Sequence, residues 1–421
     1  MSARSGAVNA RSGAVNARSG TVNAGSGPVT SVQIGMEWQL ELAGGLNRLF
    51  REIVLRLPGE GVAVRGLVAG GPQVEAQSGG TVHAFAPATA SFWRRLHAAR
   101  RAVRAMLRSL PSSTDASRLS SPLSSPRVVL VSHFAPYGLA LLGAARRYPL
   151  VVYFHGPWSV ESRDQGRSWW SMRVRHALER RVYHRAERCI VLSRAFARVL
   201  EYDFGVAPER ITVIPGGVDA EHFAAQPSRA ASRTALGWSE SAPTVLTVRR
   251  LVRRTGVDRL IAAVPALRAR VPAVQVMIAG AGPERTALEA QARALGVEGS
   301  VTFMGLVPEA QLPLVYRAAD ISVVPSVALE GFGLIVPESL AAGTPVLVTP
   351  IGGLPETVEG LPGALVLRDA SPSAIADGLA DALTGARELP SAAQCAAFAR
   401  ERYDWSVIAK RVAAVLVETA R

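Results

Sequence analysis

Short runs of apolar residues alternate with helical patterns along most of the chain. Each run is rich in valine, isoleucine or leucine and is too short for a helix, which is typical of strands buried on both faces of a parallel sheet. In the first half the runs are RVVLVSHF at 127–134, PLVVYFHG at 149–156 and RCIVLS at 188–193. In the second half they are PTVLTV at 243–248, VQVMIAG at 274–280, DISVVPS at 320–326 and TPVLVT at 344–349.

The alternation stops at VIPGGVD (213–219) and then restarts, with helical patterns such as 308–319 and 335–342 between the later strands. Strand and helix that alternate twice predict an α/β protein with two doubly wound, Rossmann-like domains. We place the N-terminal domain at 31–216 and the C-terminal domain at 217–400. Residues 401–421 are predicted as a C-terminal helix that could cross back to the N-terminal domain.

Two segments lack these patterns. Residues 4–30 repeat RSGAVNA-like units with a period of seven. Serine, glycine and asparagine oppose helix there, so we predict a disordered tail over residues 1–30. A misassigned translation start is the rival explanation, and it leaves open whether these residues belong to the natural protein. Residues 109–127, rich in serine and proline, are expected to form an exposed loop.

Composition restricts the class of protein. The chain has 421 residues, of which 48% are hydrophobic and 19% charged, as expected of a folded chain with two domains. No apolar run reaches the roughly 18 residues of a membrane span, and no signal-peptide core follows the first residue. Two cysteines are too few for a disulfide framework. We expect a cytoplasmic protein that could also lie at the inner face of the plasma membrane.

The charge points to anionic partners. The formal net charge is +14 and the pI about 11.0, which fits nucleic acid, an anionic membrane or anionic small molecules. No nucleic-acid recognition motif is present, so we expect no such partner. Residues 93–110 form a basic amphipathic pattern that could lie on an anionic membrane or pack as an ordinary helix. Lys410 is the only lysine, which argues against Schiff-base chemistry.

Glu330 and Glu338 lie in the apolar run LEGFGLIVPESLAAG. On one helix they would be about 12 Å apart along the axis, whereas a glycosidase pair needs about 5–9.5 Å. The glycines favour a loop with a helix from about Leu334, so the two acids are expected to contact different parts of one extended ligand. The helix N-terminus between them could bind a phosphate. The alternative is that Glu330 is an ordinary acid at the start of a helix and that Glu338 lies on a solvated face.

Other candidates follow predicted strands, where doubly wound sheets bind ligands. His155 and Gly280 are such residues, although a lone histidine can equally be structural. Arg249, Arg250, Arg253 and Arg254 could clamp a diphosphate. Arg250, directly after a strand, is the best candidate, whereas a solvated charge cluster is the favoured interpretation for Arg253 and Arg254. Gly44 and Gly45 form a glycine turn that would let backbone amides approach a ligand.

These motifs together resemble family 4 of the retaining glycosyltransferases, which have the two-domain GT-B fold. LEGFGLIVPESLAAGTPVLVTPIGGLPETV is similar to the family's E-x7-E signature, VIPGGVDAEHF to its interdomain hinge, and RRLVRRTGVDRLI to its phosphate clamp. LAGGLNRLF and FHGPW occupy the matching N-terminal positions. The resemblance spans about 31–410. It implies that the two domains face each other across a cleft, the first binding the acceptor and the second the donor.

The resemblance also implies roles for individual residues. Glu330 would contact the donor sugar, Glu338 the ribose and Val307 the base. Arg250 would balance the diphosphate charge, and His155 would touch the transferred sugar, so His155, Arg250 and Glu330 are the candidate catalytic residues. The remaining candidate donor-binding residues are Gly44, Gly45, Arg254, Thr255, Gly280, Gly331, Phe332, Gly333 and Leu334.

The implied reaction retains the anomeric configuration and uses no metal and no cofactor besides the nucleotide-diphosphate sugar. The expected acceptor is a sugar, a lipid-linked molecule or a metabolite. The sequence departs from the family where Arg249 replaces a frequent glycine and Thr255 a lysine. The rival interpretations are an inactive nucleotide-sugar-binding subunit and a sugar-nucleotide epimerase.

Overall fold

The structure is a computed structural model that describes residues 28–38, 45–110, 127–158 and 169–420. The predicted tail, apart from its last three residues, and Gly44 lie outside the described residues. So does most of the predicted loop at 109–127, of which 111–126 are not described.

The first half of the chain forms a seven-stranded sheet in the order β3-β2-β1-β4-β5-β6-β7, in which every neighbouring pair is parallel. The strands are β1 (Val29–Glu37), β2 (Val62–Ala69), β3 (Val82–Ala86), β4 (Arg127–Ser132), β5 (Leu150–Phe154), β6 (Arg188–Val191) and β7 (Ile211–Val213). The helices are α1 (Gly45–Arg56), α2 (Gln73–Gln77), α3 (Phe92–Arg108), α4 (Ala135–Leu141), α5 (Trp169–Arg185) and α6 (Arg194–Tyr202).

The second half forms a five-stranded parallel sheet in the order β10-β9-β8-β11-β12. Its strands are β8 (Thr244–Val248), β9 (Gln275–Ala279), β10 (Val301–Gly305), β11 (Ile321–Val324) and β12 (Val346–Val348). The helices are α7 (Ala220–Ala224), α8 (Arg229–Leu236), α9 (Val257–Arg270), α10 (Arg285–Ala294), α11 (Leu312–Ala318), α12 (Ile335–Ala341), α13 (Leu354–Thr357), α14 (Pro372–Leu383), α15 (Ala392–Tyr403) and α16 (Trp405–Thr419). Because strand order reverses direction at β8 and β11, a crevice forms at the carboxyl ends of these strands.

The last helix, α16, packs against the first sheet although it follows the second in sequence. Trp405, Ile408 and Val412 lie in one buried cluster with Leu49 of α1 and Val129 of β4. The Asp404 carboxylate caps α16 by accepting a hydrogen bond of 2.9 Å from the Ser406 amide. Buried apolar surface and a capped start therefore fix where the chain returns.

The predicted fold class is confirmed, and the strands predicted from seven apolar runs all occur. The first sheet starts at Val29, two residues before the domain start placed at 31. The gap between β7 and β8 contains the predicted break at 216, and the domain boundaries themselves stay a prediction. Within the described parts of the chain, no helix is long and apolar enough to cross a membrane.

Candidate functional site

A cavity of about 510 Å³ lies between the two sheets at the carboxyl ends of their strands. Its wall on one side comes from residues after β1, β4 and β5, and on the other from residues after β8 and β11. This is the position at which doubly wound sheets bind ligands. The cavity brings together nine of the predicted site residues: Gly45, His155, Arg250, Arg254, Glu330, Gly331, Phe332, Gly333 and Leu334.

Four predicted residues do not line the cavity. The Thr255 hydroxyl is 2.9 Å from the Arg250 carbonyl and 2.7 Å from the Val252 carbonyl, so it stabilises its own turn. Gly280 has a φ of 136°, and a Cβ there would lie 1.9 Å from the Arg249 carbonyl oxygen, so a glycine is required for packing. Val307 packs against the core of the second sheet. Glu338 is buried in the second half of the chain and is not among the residues that line the cavity.

Glu330 is a buried carboxylate with two hydrogen-bond donors on one oxygen. Arg249 Nη2 donates to Glu330 Oε2 over 2.5 Å, and Ser326 Oγ donates to the same oxygen over 2.9 Å. Burial alone would raise the pKa of Glu330, but the charge and hydrogen bond of Arg249, with help from Ser326 and Arg254, hold it below its ordinary value. Glu330 is therefore ionised at neutral pH.

The backbone around Glu330 is also held tightly. Leu329 has a φ of 50°, the only positive value for a non-glycine residue in the described ranges. Gly353 N donates to the Glu330 carbonyl over 3.0 Å, and a Cβ on Gly352 would lie 1.9 Å from that carbonyl oxygen. Arg254 Nη1 donates to the Leu329 carbonyl over 3.2 Å. Strained backbone that its surroundings maintain is typical of functional sites.

Glu338 is 3% exposed, so the alternative of a solvated surface acid is wrong for it. Tyr316 Oη donates to Glu338 Oε2 over 2.9 Å, and Arg48 Nη1 donates to Oε1. Arg48 belongs to α1 of the first sheet, whereas Glu338 belongs to α12 of the second. Arg48 Nη2 also lies 3.1 Å from Glu309 Oε1. The second glutamate of the motif is therefore held by an ion pair that joins the two halves of the chain.

His155 lines the cavity in a stack of aromatic rings. The ring of Tyr153 lies between those of His155 and His133, with centroids 5.8 Å and 4.2 Å away. Burial lowers the pKa of His155 to about 4, so its imidazole is neutral at physiological pH. His155 Nε2, Tyr153 Oη and His133 Nδ1 are buried and have no hydrogen-bond partner within the described residues. Such unsatisfied atoms in a cavity wall indicate a place where a polar ligand binds.

The arginines after β8 divide into two groups. Arg249, Arg250 and Arg254 line the cavity. The side chain of Arg253 is 92% exposed and reaches only Glu284, at 3.9 Å. The solvated alternative therefore describes Arg253 but not Arg254. Three guanidinium groups against the Glu330 carboxylate give this wall a surplus of positive charge, which suits a diphosphate.

Sequence reasoning missed several residues of the site. Arg249 was named among the arginines that could clamp a diphosphate, but its pairing with Glu330 was not predicted. Ser326 carried no signal beyond its place after a strand. Arg48 and Tyr316 lie 290 and 22 positions from their common partner Glu338. Contacts of this kind leave no local pattern in a single sequence.

Two family descriptions match the chain, "Glycosyltransferase Family 4" over residues 43–222 and "Glycosyl transferases group 1" over residues 228–402. A similar curated protein is the GDP-mannose-dependent alpha-(1-6)-phosphatidylinositol monomannoside mannosyltransferase of Mycolicibacterium smegmatis. It is 34% identical over 289 residues, which cover 65% of this chain and 72% of that protein. The D-inositol 3-phosphate glycosyltransferase of Corynebacterium urealyticum is 33% identical over 247 residues, which cover 56% of this chain and 58% of that protein.

Solved structures agree on the architecture. Anabaena Alr3699/HepE in complex with UDP superimposes with a TM-score of 0.71 at 20% identity, over 93% of this chain and all of that one. WaaG, a glycosyltransferase involved in lipopolysaccharide biosynthesis, gives a TM-score of 0.63 at 20% identity, over 92% of this chain and 99% of that one. At such identities the likeness shows the fold, two parallel sheets arranged as in GT-B glycosyltransferases.

Proposed function

Because the chain belongs to family 4 of the glycosyltransferases, we propose that it transfers a sugar from a nucleotide-diphosphate sugar to a lipid-linked or small-metabolite acceptor with retention of anomeric configuration. The observation that carries the proposal is the cavity between the sheets, in which an ionised Glu330 lies beside three arginines. An anionic ligand with a hydroxyl-rich end fits this combination of charges.

In this proposal the donor lies across the second sheet. Glu330 accepts hydrogen bonds from hydroxyls of the transferred sugar, and the backbone from Gly331 to Leu334 holds the sugar and phosphate. Arg250 and Arg254 balance the diphosphate, and their attraction to the departing nucleotide grows as the bond to the sugar breaks. Glu338 binds the ribose. Val307 lies against the base.

The acceptor enters from the first sheet. The neutral His155 contacts the transferred sugar near the reacting carbon, where the unprotonated ring nitrogen of a neutral imidazole can accept a hydrogen bond from a hydroxyl. The departing phosphate takes the proton of the acceptor hydroxyl. Because the arginines supply the positive charge that the leaving group requires, we propose that no metal ion takes part. EDTA should then leave the rate unchanged.

The test is a donor screen followed by Glu330→Gln. UDP, GDP, UDP-glucose and GDP-mannose are compared by thermal shift, since a bound ligand raises stability by mass action. UDP-glucose is included because Alr3699/HepE has been solved in complex with it, and GDP-mannose because the similar mannosyltransferase depends on it. Transfer is then measured with the donor that binds.

We expect Glu330→Gln to lose nearly all transfer while its melting temperature stays near that of the wild type. Retained transfer would overturn the role of Glu330. Binding without turnover over a panel of acceptors would favour the inactive subunit, and release of an epimerised sugar nucleotide would favour the epimerase.

We also propose that the protein contacts anionic membranes from the cytoplasmic side, because its first half exposes tryptophan beside arginine. Helices α3 and α5 both pack on α4. Trp93 of α3 is 67% exposed, and Trp169 and Trp170 of α5 are 56% and 70% exposed. A groove between the helices is lined by Arg100, Arg104, Arg146, Arg181 and Arg185.

Interfacial tryptophan and surface arginine are the residues that favour peripheral binding to anionic lipid. Pelleting with phosphatidylglycerol vesicles, compared with phosphatidylcholine vesicles, tests this contact. Charge reversal of Arg104 and Arg181 should weaken binding about tenfold or more, since each basic group near such a surface is worth about 1 kcal/mol. Charge reversal of Arg293, which is exposed on α10, is the matched control. Equal binding by both variants would refute the proposed surface.

A further inference from the structure

The two oxygens of Glu330 have different surroundings. Oε2 receives hydrogen bonds from Arg249 Nη2 and Ser326 Oγ. Oε1 accepts no hydrogen bond from any residue in the described part of the chain, although Glu330 lines the cavity. A carboxylate held by one oxygen presents the other in a fixed direction.

Arg249 is itself fixed rather than mobile. Its side chain is 7% exposed, and Nη2 also donates to Ser326 Oγ over 2.7 Å. Its amide donates to the Ala279 carbonyl over 2.8 Å, and Gly280 packs directly against its carbonyl oxygen. Arg249, Ser326 and Glu330 thus form a closed triangle of hydrogen bonds in which each side chain restrains the other two.

The triangle also determines charge. Desolvation is the largest single influence on the pKa of Glu330 and favours the neutral carboxyl. Arg249 opposes it most, followed by Ser326 and Arg254. A neutral carboxyl is a weaker acceptor than a carboxylate and carries one proton on an oxygen. Without Arg249, burial would therefore change both the charge of Glu330 and the hydrogen bonds that it can offer.

We propose that Arg249 is a positioning residue for sugar transfer, which holds Glu330 ionised with Oε1 directed at the hydroxyls of the donor sugar. This inference rests on the proposed function of Glu330. Arg249 acts through Glu330. Ser326 also helps to orient Glu330 but carries no charge of its own. A purely structural ion pair between the loops after β8 and β11 is the alternative.

The pH profile of kcat/KM separates the two explanations, because a pair that only holds the two loops together would change stability while kcat/KM would not follow the titration of Glu330. In Arg249→Gln the acidic limb of the profile should move to higher pH, since burial would then raise the pKa of Glu330. Activity is lost as pH falls through that raised pKa. At neutral pH kcat/KM should fall roughly 10- to 100-fold, the range for losing one hydrogen bond to a charged group, and part of it should return at alkaline pH.

Three companion variants complete the experiment. Arg249→Lys keeps the charge and should restore the wild-type acidic limb with a lower kcat/KM at every pH. Ser326→Ala removes one donor but keeps Arg249, so it should lower kcat/KM by a smaller factor and move the limb to higher pH by less than Arg249→Gln does. Arg253→Gln, on the exposed arginine nearby, should match the wild type.

The outcomes distinguish this inference from the proposed function. If Glu330→Gln is as active as the wild type, the proposed role of Glu330 fails and the inference fails with it. If Glu330→Gln is inactive but Arg249→Gln keeps the wild-type limb, only the role of Arg249 is overturned. If Arg249→Gln does not fold, Arg249→Lys provides the test. An acidic limb far from that of the wild type in this charge-conserving variant would overturn the role of Arg249.

Discussion

The glycine at position 352 provides a sharp test of how the Glu330 loop is held. Gly352 has a φ of 56°, and a Cβ there would lie 1.9 Å from the Glu330 carbonyl oxygen, where ordinary van der Waals contact starts at 3.4 Å. In Gly352→Ala the two backbones must therefore separate by about 1.5 Å, the difference of these distances. Because the neighbouring Gly353 amide bonds to the same carbonyl, the loop cannot yield without moving Glu330.

The expected cost has two parts. A left-handed conformation costs an alanine roughly 1–2 kcal/mol, and overpacking adds about 1–3 kcal/mol. Gly385 provides a matched control, because its φ is 78° and a Cβ there would meet nothing within 4 Å. Gly385→Ala should therefore show only the first part, so that the difference between the variants measures the contact with Glu330.

Urea unfolding and transfer kinetics measure the two consequences. Gly352→Ala should be about 1–3 kcal/mol less stable than Gly385→Ala. Its kcat/KM should fall about 100-fold, because displacing a catalytic group by 1 Å has that effect, whereas Gly385→Ala should keep wild-type kinetics. If the two variants have equal stability and equal kinetics, the loop is not held by this contact and the reasoning is wrong.

Three further predictions concern the surroundings of the cavity. Arg48→Gln leaves the Glu338 carboxylate buried with one hydrogen-bond donor fewer, so urea unfolding should show a loss of about 2 kcal/mol. Arg56→Gln removes the more exposed contacts of Arg56 with Glu52, Asp219 and the Trp405 ring and should lose less than about 1 kcal/mol. Below pH 6.5 the unfolded chain takes up a proton that His155, with its pKa lowered to about 4, does not. His155 should thus contribute a fall in stability of about 3 kcal/mol between pH 6.5 and 4. His155→Asn should remove that part of the fall, while His133, whose pKa is also lowered by burial, keeps its own. Trp405→Ala removes a side chain 3% exposed and should cost about 3–5 kcal/mol, whereas Trp170→Ala, at a position 70% exposed, should change stability by less than about 0.5 kcal/mol.

The strands that sequence patterns predicted have mostly buried residues and continuous apolar runs. The interior strands β1 and β2 were not predicted, because polar residues interrupt VTSVQIGME and VAVRGLVA. In β5 and β11 every residue is buried, so continuous apolar runs reveal them. The edge strands β3, β7 and β10 are half exposed over most of their length, and their sequences VHAFA, ITV and VTFMG contain no such run. An edge strand contacts a neighbour on one side only, so its composition is less constrained. The edge strand β12 was nevertheless predicted, because all three of its residues are buried.

The site divides in the same way. Gly331, Phe332, Gly333 and Leu334 follow one strand and precede one helix, so a local motif was enough to place them. Arg48 could not be placed, because its partner Glu338 comes from the other half of the chain. Thr255 was misplaced for a related reason: its hydroxyl bonds to the carbonyl of Arg250, and a sequence alone does not show that a polar group is already satisfied.

The two glutamates of the motif differ in what would happen to them if the sheets moved apart. Arg249, Ser326 and Glu330 all lie on loops of the second sheet, so their triangle would move as one unit. Arg48 lies on α1 of the first sheet, and separation would remove it from Glu338 while Tyr316, on the same sheet as Glu338, would remain. The acid assigned to the transferred sugar is therefore preorganised whatever the separation of the sheets. Glu338, the acid assigned to the ribose, has a partner, Arg48, that it keeps only while the sheets stay together. Any free energy needed to replace Arg48 by a ribose therefore weakens nucleotide binding and does not affect how Glu330 binds the transferred sugar.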